Sequence, residues 1–173
     1  YLTESLTTVV SDTSGELANY IPELAAVDPD KLAASIVMVD GEQYAAGDSD
    51  VEFTIQSISK PFVYALALAD RGYDDVLAKV GVEPSGEPFN ELSLEDGSGK
   101  PLNPMINAGA ITTHSLVGPP GATQGERMER VISGLSAFAG RRLSVNARVY
   151  EAELAHAHRN SALARMLRGH GRL

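Results

Sequence analysis

The chain has 173 residues, a formal net charge of −9 at pH 7 and no cysteine. That length can bury one ordinary core, and the acidic balance argues against a nucleic-acid groove, which needs a basic patch. Without cysteine there are neither disulfides nor thiolate metal sites, and no apolar run approaches a membrane span or a secretory leader. Positive charge gathers late in the chain, in Arg141, Arg142, Arg148, Arg159, Arg165, Arg168 and Arg172. No aromatics interleave with these arginines, so they read as helix-end and surface charge.

In chain order, "GELANYIPELAAVDPD" places Leu17, Tyr20, Ile21 and Leu24 at helical spacing, with Pro22 interrupting or kinking the helix. "AASIVMVDGEQYAAGD" reads as a β-hairpin closed by a tight two-residue turn at Asp40-Gly41, and Phe53 to Ile55 suggest a third short strand. From Ser57 the pattern is helical almost to the end. "PFVYALALADRG" is apolar nearly all round and predicts a buried central helix ending at Gly72. "DDVLAKVG" predicts a short helix, and residues 82 to 102 an ordered loop. "NPMINAGAITTHSLV" opens with Asn103 as cap and Pro104 in the first helical position. Thr123 to Glu126 form a capping box ahead of an apolar face of Met128, Val131, Ile132, Leu135 and Phe138. A last helical stretch, broken once, runs from about Val145 to Arg168.

One spacing is chemical. Ser57 stands three residues before Lys60, at the start of the apolar helix. A serine hydroxyl is a poor nucleophile until a base takes its proton, and helix positions three apart share a side, so the amine can reach the hydroxyl. Burial disfavours the charged ammonium and frees the amine as a base, while free N–H groups at a helix start can hold negative charge on a carbonyl oxygen. The bare S-x-x-K spacing is common by chance, and on its own a serine cap and a solvated lysine explain it. Its position where a strand should meet a central helix is what favours serine acyl transfer.

The words around the motif carry more. "YIPELAAVDPD", "VDGEQYAAGD", "QSISKPFVYALAL", "GVEPSGEPFN", "NPMINAGAI" and "AELAHAHRN" occur in this order between Gly15 and about Gly169. Together they resemble the bacterial-type, serine-dependent glutaminases. The resemblance implies an α+β fold of the β-lactamase and transpeptidase type, an antiparallel sheet with a helical domain. It implies hydrolysis of L-glutamine to L-glutamate and ammonia through a serine acyl-enzyme, with no cofactor and no metal. By match to the motif, Ser57 is the nucleophile and Lys60 its activating partner, while Gln56 and Tyr20 line the substrate pocket. Asn107, Glu153 and Asn160 grip the amino-acid end. Their chemistry suits that task, because a free amino acid needs an acceptor for its ammonium and amide donors for its carboxylate. Glu153 and Asn160 are seven apart, two turns along one face if the helix is continuous.

The reading therefore expects residues 1–56 to supply an N-terminal helix and the first sheet strands. Residues 57–173 supply the S-x-x-K helix and a helical subdomain, both within one incomplete catalytic domain. Glutaminases of this type continue for roughly as long again, with two active-site tyrosines and the strand that completes the oxyanion hole. These 173 residues alone are expected to turn over glutamine poorly or not at all and to expose apolar surface where further strands would pack. The substrate is the expected partner, with neither nucleic acid nor membrane. The protein is expected in the cytoplasm and, at full length, as a homo-oligomer. Two other readings are a penicillin-recognising hydrolase of the same fold and a non-catalytic glutamine or glutamate binder.

Overall fold

Proline sets the first boundary. In the computed structural model, which describes residues 1–173, Ile21 is extended (φ −133°, ψ 148°) and helix begins only at Pro22. A residue before proline is pushed out of the helical region, whereas proline itself suits the first helical position. The helix expected over Leu17 to Leu24 is thus a single turn. In chain order the elements are α1 (Leu2–Val9), α2 (Pro22–Ala25), β1 (Ala33–Val37), β2 (Gln43–Gly47), a 3-10 turn (Gln56–Ile58) and α3 (Ser59–Arg71). After these come α4 (Tyr73–Lys79), α5 (Asn107–Ser115), α6 (Gln124–Phe138), α7 (Ala147–Ala155) and α8 (His158–Gly169). No helix is long and apolar enough to cross a membrane.

The chain forms two compact units, Tyr1–Thr54 with Ala147–His156, and Ile55–Asn146 with Ala157–Leu173. A division placed at residue 57 does not assign Ala147–His156 to the first unit. In that unit β1 and β2 pair antiparallel from Ala33–Gly47 to Val37–Gln43. The hairpin turn has three residues instead of the expected two. Met38 and Glu42 close it, Gly41 N–H donates to Met38 O at 2.9 Å, and Gly41 takes the left-handed φ of 90°. That is a type I turn followed by a glycine bulge. The expected strand at Phe53–Ile55 does not form, for β-propensity without strand pairing makes no sheet. Two strands hide little, and Ile36, Val37 and Tyr44 remain exposed.

In the second unit α3 is central, as its composition requires. Val63, Leu66 and Ala67 of α3 are buried with Val76, Val117 and Val131 in one core cluster. α3 packs on α5 and α6, and α5 also packs on α8. Gly134 of α6 lets Leu66 approach, since a Cβ there would stand 2.4 Å from the leucine Cδ1. The capping box at Thr123 and Glu126 is formed in full, and it starts α6 at the expected residue. The last helical stretch is broken as expected. The His156 N–H is shared by Ala152 O and Glu153 O, and its ring Nδ1 lies 2.8 Å from Ala152 O. A basic side chain on the last carbonyls closes a helix.

One ion pair braces this unit. Arg130 donates from Nη2 to Asp70 Oδ1 at 2.7 Å and from Nε to Oδ2 at 3.1 Å, while the Gly118 N–H donates to Oδ2 at 2.8 Å. Burial pushes the Asp70 carboxyl upward, but these donors outweigh it and hold it below its ordinary 3.8. Its stabilisation is therefore present above the ordinary value and is lost as pH falls through the lower folded-state value. Asp70→Asn is expected to lower the unfolding free energy by about 2 kcal/mol at pH 7. The gap to the parent should close on acidification. Urea unfolding followed by circular dichroism checks both, and equal stability at pH 7 would contradict the assignment.

Candidate active site

Ser57 sits in the middle of the 3-10 turn, not on the first turn of the α-helix. Just before it, Gln56 has φ 44°, and it is the one non-glycine residue with a positive φ. A left-handed residue with a side chain costs on the order of 1–2 kcal/mol, and such strain gathers at sites where the backbone must turn sharply. Ser57 is exposed and its hydroxyl makes no hydrogen bond. Pro61 falls in the first turn of α3, where its missing N–H has no intrahelical partner to lose.

Lys60 is the centre of the cluster. Its Nζ donates to the Met105 carbonyl oxygen at 2.8 Å and to Asn107 Oδ1 at 2.8 Å, and it lies 5.2 Å from the Phe89 ring centroid. The expected contact to the Ser57 hydroxyl is replaced by these two oxygens. The ammonium is only partly wetted here, and burial lowers its pKa from the ordinary 10.5. Asn107 in turn donates from Nδ2 to Asn160 Oδ1 at 3.4 Å. Lys60, Asn107 and Asn160 are thus one chain of side chains within the second unit.

Local sequence builds this cradle. Asn103 Oδ1 accepts from the N–H groups of Met105 (3.0 Å) and Ile106 (3.2 Å), and its Nδ2 donates to Glu83 O at 3.0 Å. Asn103 therefore caps a turn, and α5 starts three residues later than the expected position of Pro104, at Asn107. The turn aims the Met105 carbonyl at Lys60. The Asn107 N–H donates to Phe89 O at 2.9 Å, which ties the 82–102 loop to the helix start. Gly109 is essential to the same packing, because a Cβ there would lie 1.8 Å from Asn103 O.

In the first unit the structure joins Tyr20 to Glu153. The tyrosine hydroxyl donates to Glu153 Oε1 at 2.8 Å. Burial first, then this bond and the carboxylate charge, push the Tyr20 pKa up to about 12. The phenol is therefore a stable donor that fixes the carboxylate. Glu153 and Asn160 do not share a continuous helix face, since α7 ends at Ala155 and α8 begins at His158. Sequence reasoning missed the Met105 carbonyl, Phe89 and Gly109. Only Gly109 left a signal, as an isolated glycine inside a helical pattern, which usually has a packing reason.

A family profile described as Glutaminase matches residues 15–173. A glutaminase of Corynebacterium glutamicum is 53% identical over 171 residues, which are 99% of this chain and 41% of that protein. One from Trichormus variabilis is 50% identical over 157 residues, covering 91% and 46%. Among solved structures, "Mglu in its native form" superposes with a TM-score of 0.93 at 51% identity, covering 100% of this chain and 42% of the other. A probable glutaminase, ybaS, gives 0.94 at 39% identity, covering 99% and 55%. The chain thus spans less than half the length of these two curated relatives. The likeness extends over the whole chain, and with it comes the β-lactamase-like, α+β class.

Gly109→Ala is expected to destabilise the protein by about 2 kcal/mol or more, because the clash falls on backbone that cannot yield cheaply. Gly125→Ala is the control: a Cβ there meets nothing within 4 Å. It should be neutral, or stabilising by about 0.5 kcal/mol. Thermal unfolding of the pair measures the difference, and equal effects would refute the close approach.

Proposed function

Because the chain belongs to the glutaminase family, we propose that it carries the serine and lysine of an enzyme hydrolysing L-glutamine to L-glutamate and ammonia. The observation that supports this most is the pair of oxygens holding Lys60. A neutral lysine amine has two N–H donors and one lone pair. Met105 O and Asn107 Oδ1, each at 2.8 Å, can take both donors and leave the lone pair for a third partner. We assign that place to the Ser57 hydroxyl, which stands three residues earlier, is exposed and makes no hydrogen bond in this structure.

The reaction then runs in two halves. Lys60 Nζ takes the Ser57 proton as the serine oxygen attacks the side-chain amide carbon of glutamine. The amide nitrogen receives that proton and leaves as ammonia, which gives a γ-glutamyl ester on Ser57. A water next gives its proton to Lys60 and attacks the ester carbon; the proton returns to Ser57 and glutamate departs. Partial burial favours the neutral amine that both halves begin with.

Substrate-binding roles belong to the same proposal. Asn107 and Asn160 offer amides for the substrate carboxylate, and Gln56 lines the pocket beside the nucleophile. Glu153, its charge fixed by Tyr20, is the acceptor that an α-ammonium requires. No side chain here needs a metal or organic cofactor for these steps. Homo-oligomeric assembly, which rests on the family resemblance, and a cytoplasmic location complete the proposal.

Ammonia release by the natural-length gene product is the test. Ser57→Ala is expected to reduce kcat by about 10³-fold or more. Asn107→Asp keeps an oxygen beside Lys60 but adds negative charge, which stabilises the ammonium and raises its pKa. The rate should still climb with pH, yet its acid limb should move to higher pH. An Asn107→Asp limb that stays in place or moves to lower pH would overturn Lys60 as the base. Ammonia release unaffected by Ser57→Ala would overturn the nucleophile.

A further inference from the structure

The second unit has a cleft of about 910 Å³ that shares no residue with the Lys60 cluster. Arg71, Lys79, Arg127, Arg168 and Arg172 line it, and Asp75 is the one acidic side chain among the lining residues. In a chain of net charge −9, five of the 14 lysines and arginines face one cavity. Sequence alone assigned Arg168 and Arg172 to helix-end charge. The fold instead gathers them with cations from α3, α4 and α6.

Backbone carbonyls fill most of their donors; Asp70 offsets part of the Arg71 charge from outside the cleft, and within the lining only the Asp75 side chain opposes the five cations. Arg71 Nε donates to Leu116 O at 3.1 Å, and Arg127 donates to Ser115 O and Ala122 O at 2.7 and 2.8 Å. Arg172 donates to Ser98 O at 2.7 Å and Ala78 O at 3.1 Å, and Lys79 to Gly171 O at 2.6 Å. Every one of these acceptors is a backbone carbonyl. A carbonyl fills a donor without cancelling a unit charge, and a helix C-terminus contributes only about half of one. Arg168 makes no hydrogen bond to protein and is exposed. His114, also on the cleft wall, keeps an exposed edge, and desolvation of its ring first, then the Arg127 charge, hold its pKa below the ordinary 6.5.

A cavity with one sign of charge focuses the field and concentrates counter-ions, and guanidinium groups suit planar or tetrahedral oxyanions. We propose that this cleft binds a compact anion of two or more negative charges, phosphate or polycarboxylate in class. The site is independent of the glutaminase reading. Its occupant would sit among Arg71, Arg127 and Arg168, within reach of the guanidinium donors that the carbonyls leave free.

His114 supplies a readout that does not depend on catalysis. Its imidazole resonances, in the natural-length protein and in this 173-residue chain, are titrated at constant ionic strength with pyrophosphate, citrate or chloride. Asp75, Arg71, Arg127, Arg168, Lys79 and Arg172 are the charged side chains lining the cleft with His114, and in the 173-residue chain the α-carboxylate of Leu173 joins them. A bound anion offsets the arginine charge, so the His114 pKa should rise saturably with pyrophosphate or citrate and not with chloride. Response to pyrophosphate alone marks a phosphate site, and response to citrate alone a polycarboxylate site. Arg168→Ala, at an exposed side chain without protein partners, should weaken binding about fivefold, and Arg168→Lys much less. No saturable shift, or equal affinity in Arg168→Ala, would overturn the proposal. A shift seen in the 173-residue chain but absent in the natural-length protein would overturn it too, by showing the cleft already filled.

Discussion

The lysine ammonium held between two oxygens is the contact on which the rest of the site depends. Met105 O and Asn107 Oδ1 both reach Lys60 at 2.8 Å, and both are offered by the few residues that lead into α5. Much of the second unit's architecture serves that approach. Asn103 closes the turn that presents Met105, and Gly109 leaves room for the turn against the helix. The core of Val63, Leu66, Ala67 and Val131 holds α3 among its neighbours, and Asp70 and Arg130 brace its far end. A partly buried amine with fixed acceptors is a base whose lone pair has a direction. The proposed proton transfer from the Ser57 hydroxyl requires such a base.

The sequence was most legible where one local rule decided the outcome. The capping box fixed the start of α6, Gly72 the end of α3, and a β-branched run ending at Asp40-Gly41 the hairpin, though not its turn length. It was least legible where two rules competed. Helical spacing of Leu17, Tyr20 and Leu24 lost to the conformational demand of Pro22. Asn103 and Pro104 look like a helix start, yet the asparagine spends its side chain on a preceding turn and the helix waits until Asn107.

Of the site, residue identities could be read and geometry could not. S-x-x-K and the surrounding words pointed to Ser57, Lys60 and Asn107, and the structure joins the last two directly. The Met105 acceptor is a backbone carbonyl, which any residue type supplies, so no side-chain pattern announces it. Glu153 and Asn160 share a helix face only in a continuous helix, and spacing does not locate the break between α7 and α8. The tyrosine partner of Glu153 and the arginine cleft are long-range juxtapositions of the same kind. Both join segments far apart in sequence, and only folding reveals the pairing.

The central claim is that Lys60 is held as an amine easier to deprotonate than an ordinary lysine. The chain has four lysines, Lys31, Lys60, Lys79 and Lys100, so ¹³C-lysine labelling resolves them with little overlap and Lys60→Arg assigns the signal. The measurement is the pH titration of each side-chain Cε. Burial should place Lys60 below the ordinary 10.5, while Lys31, bonded to Asp48, should titrate above it. Lys60 titrating at or above Lys31 would contradict the account, since its amine would then be no readier than a surface lysine to take the serine proton.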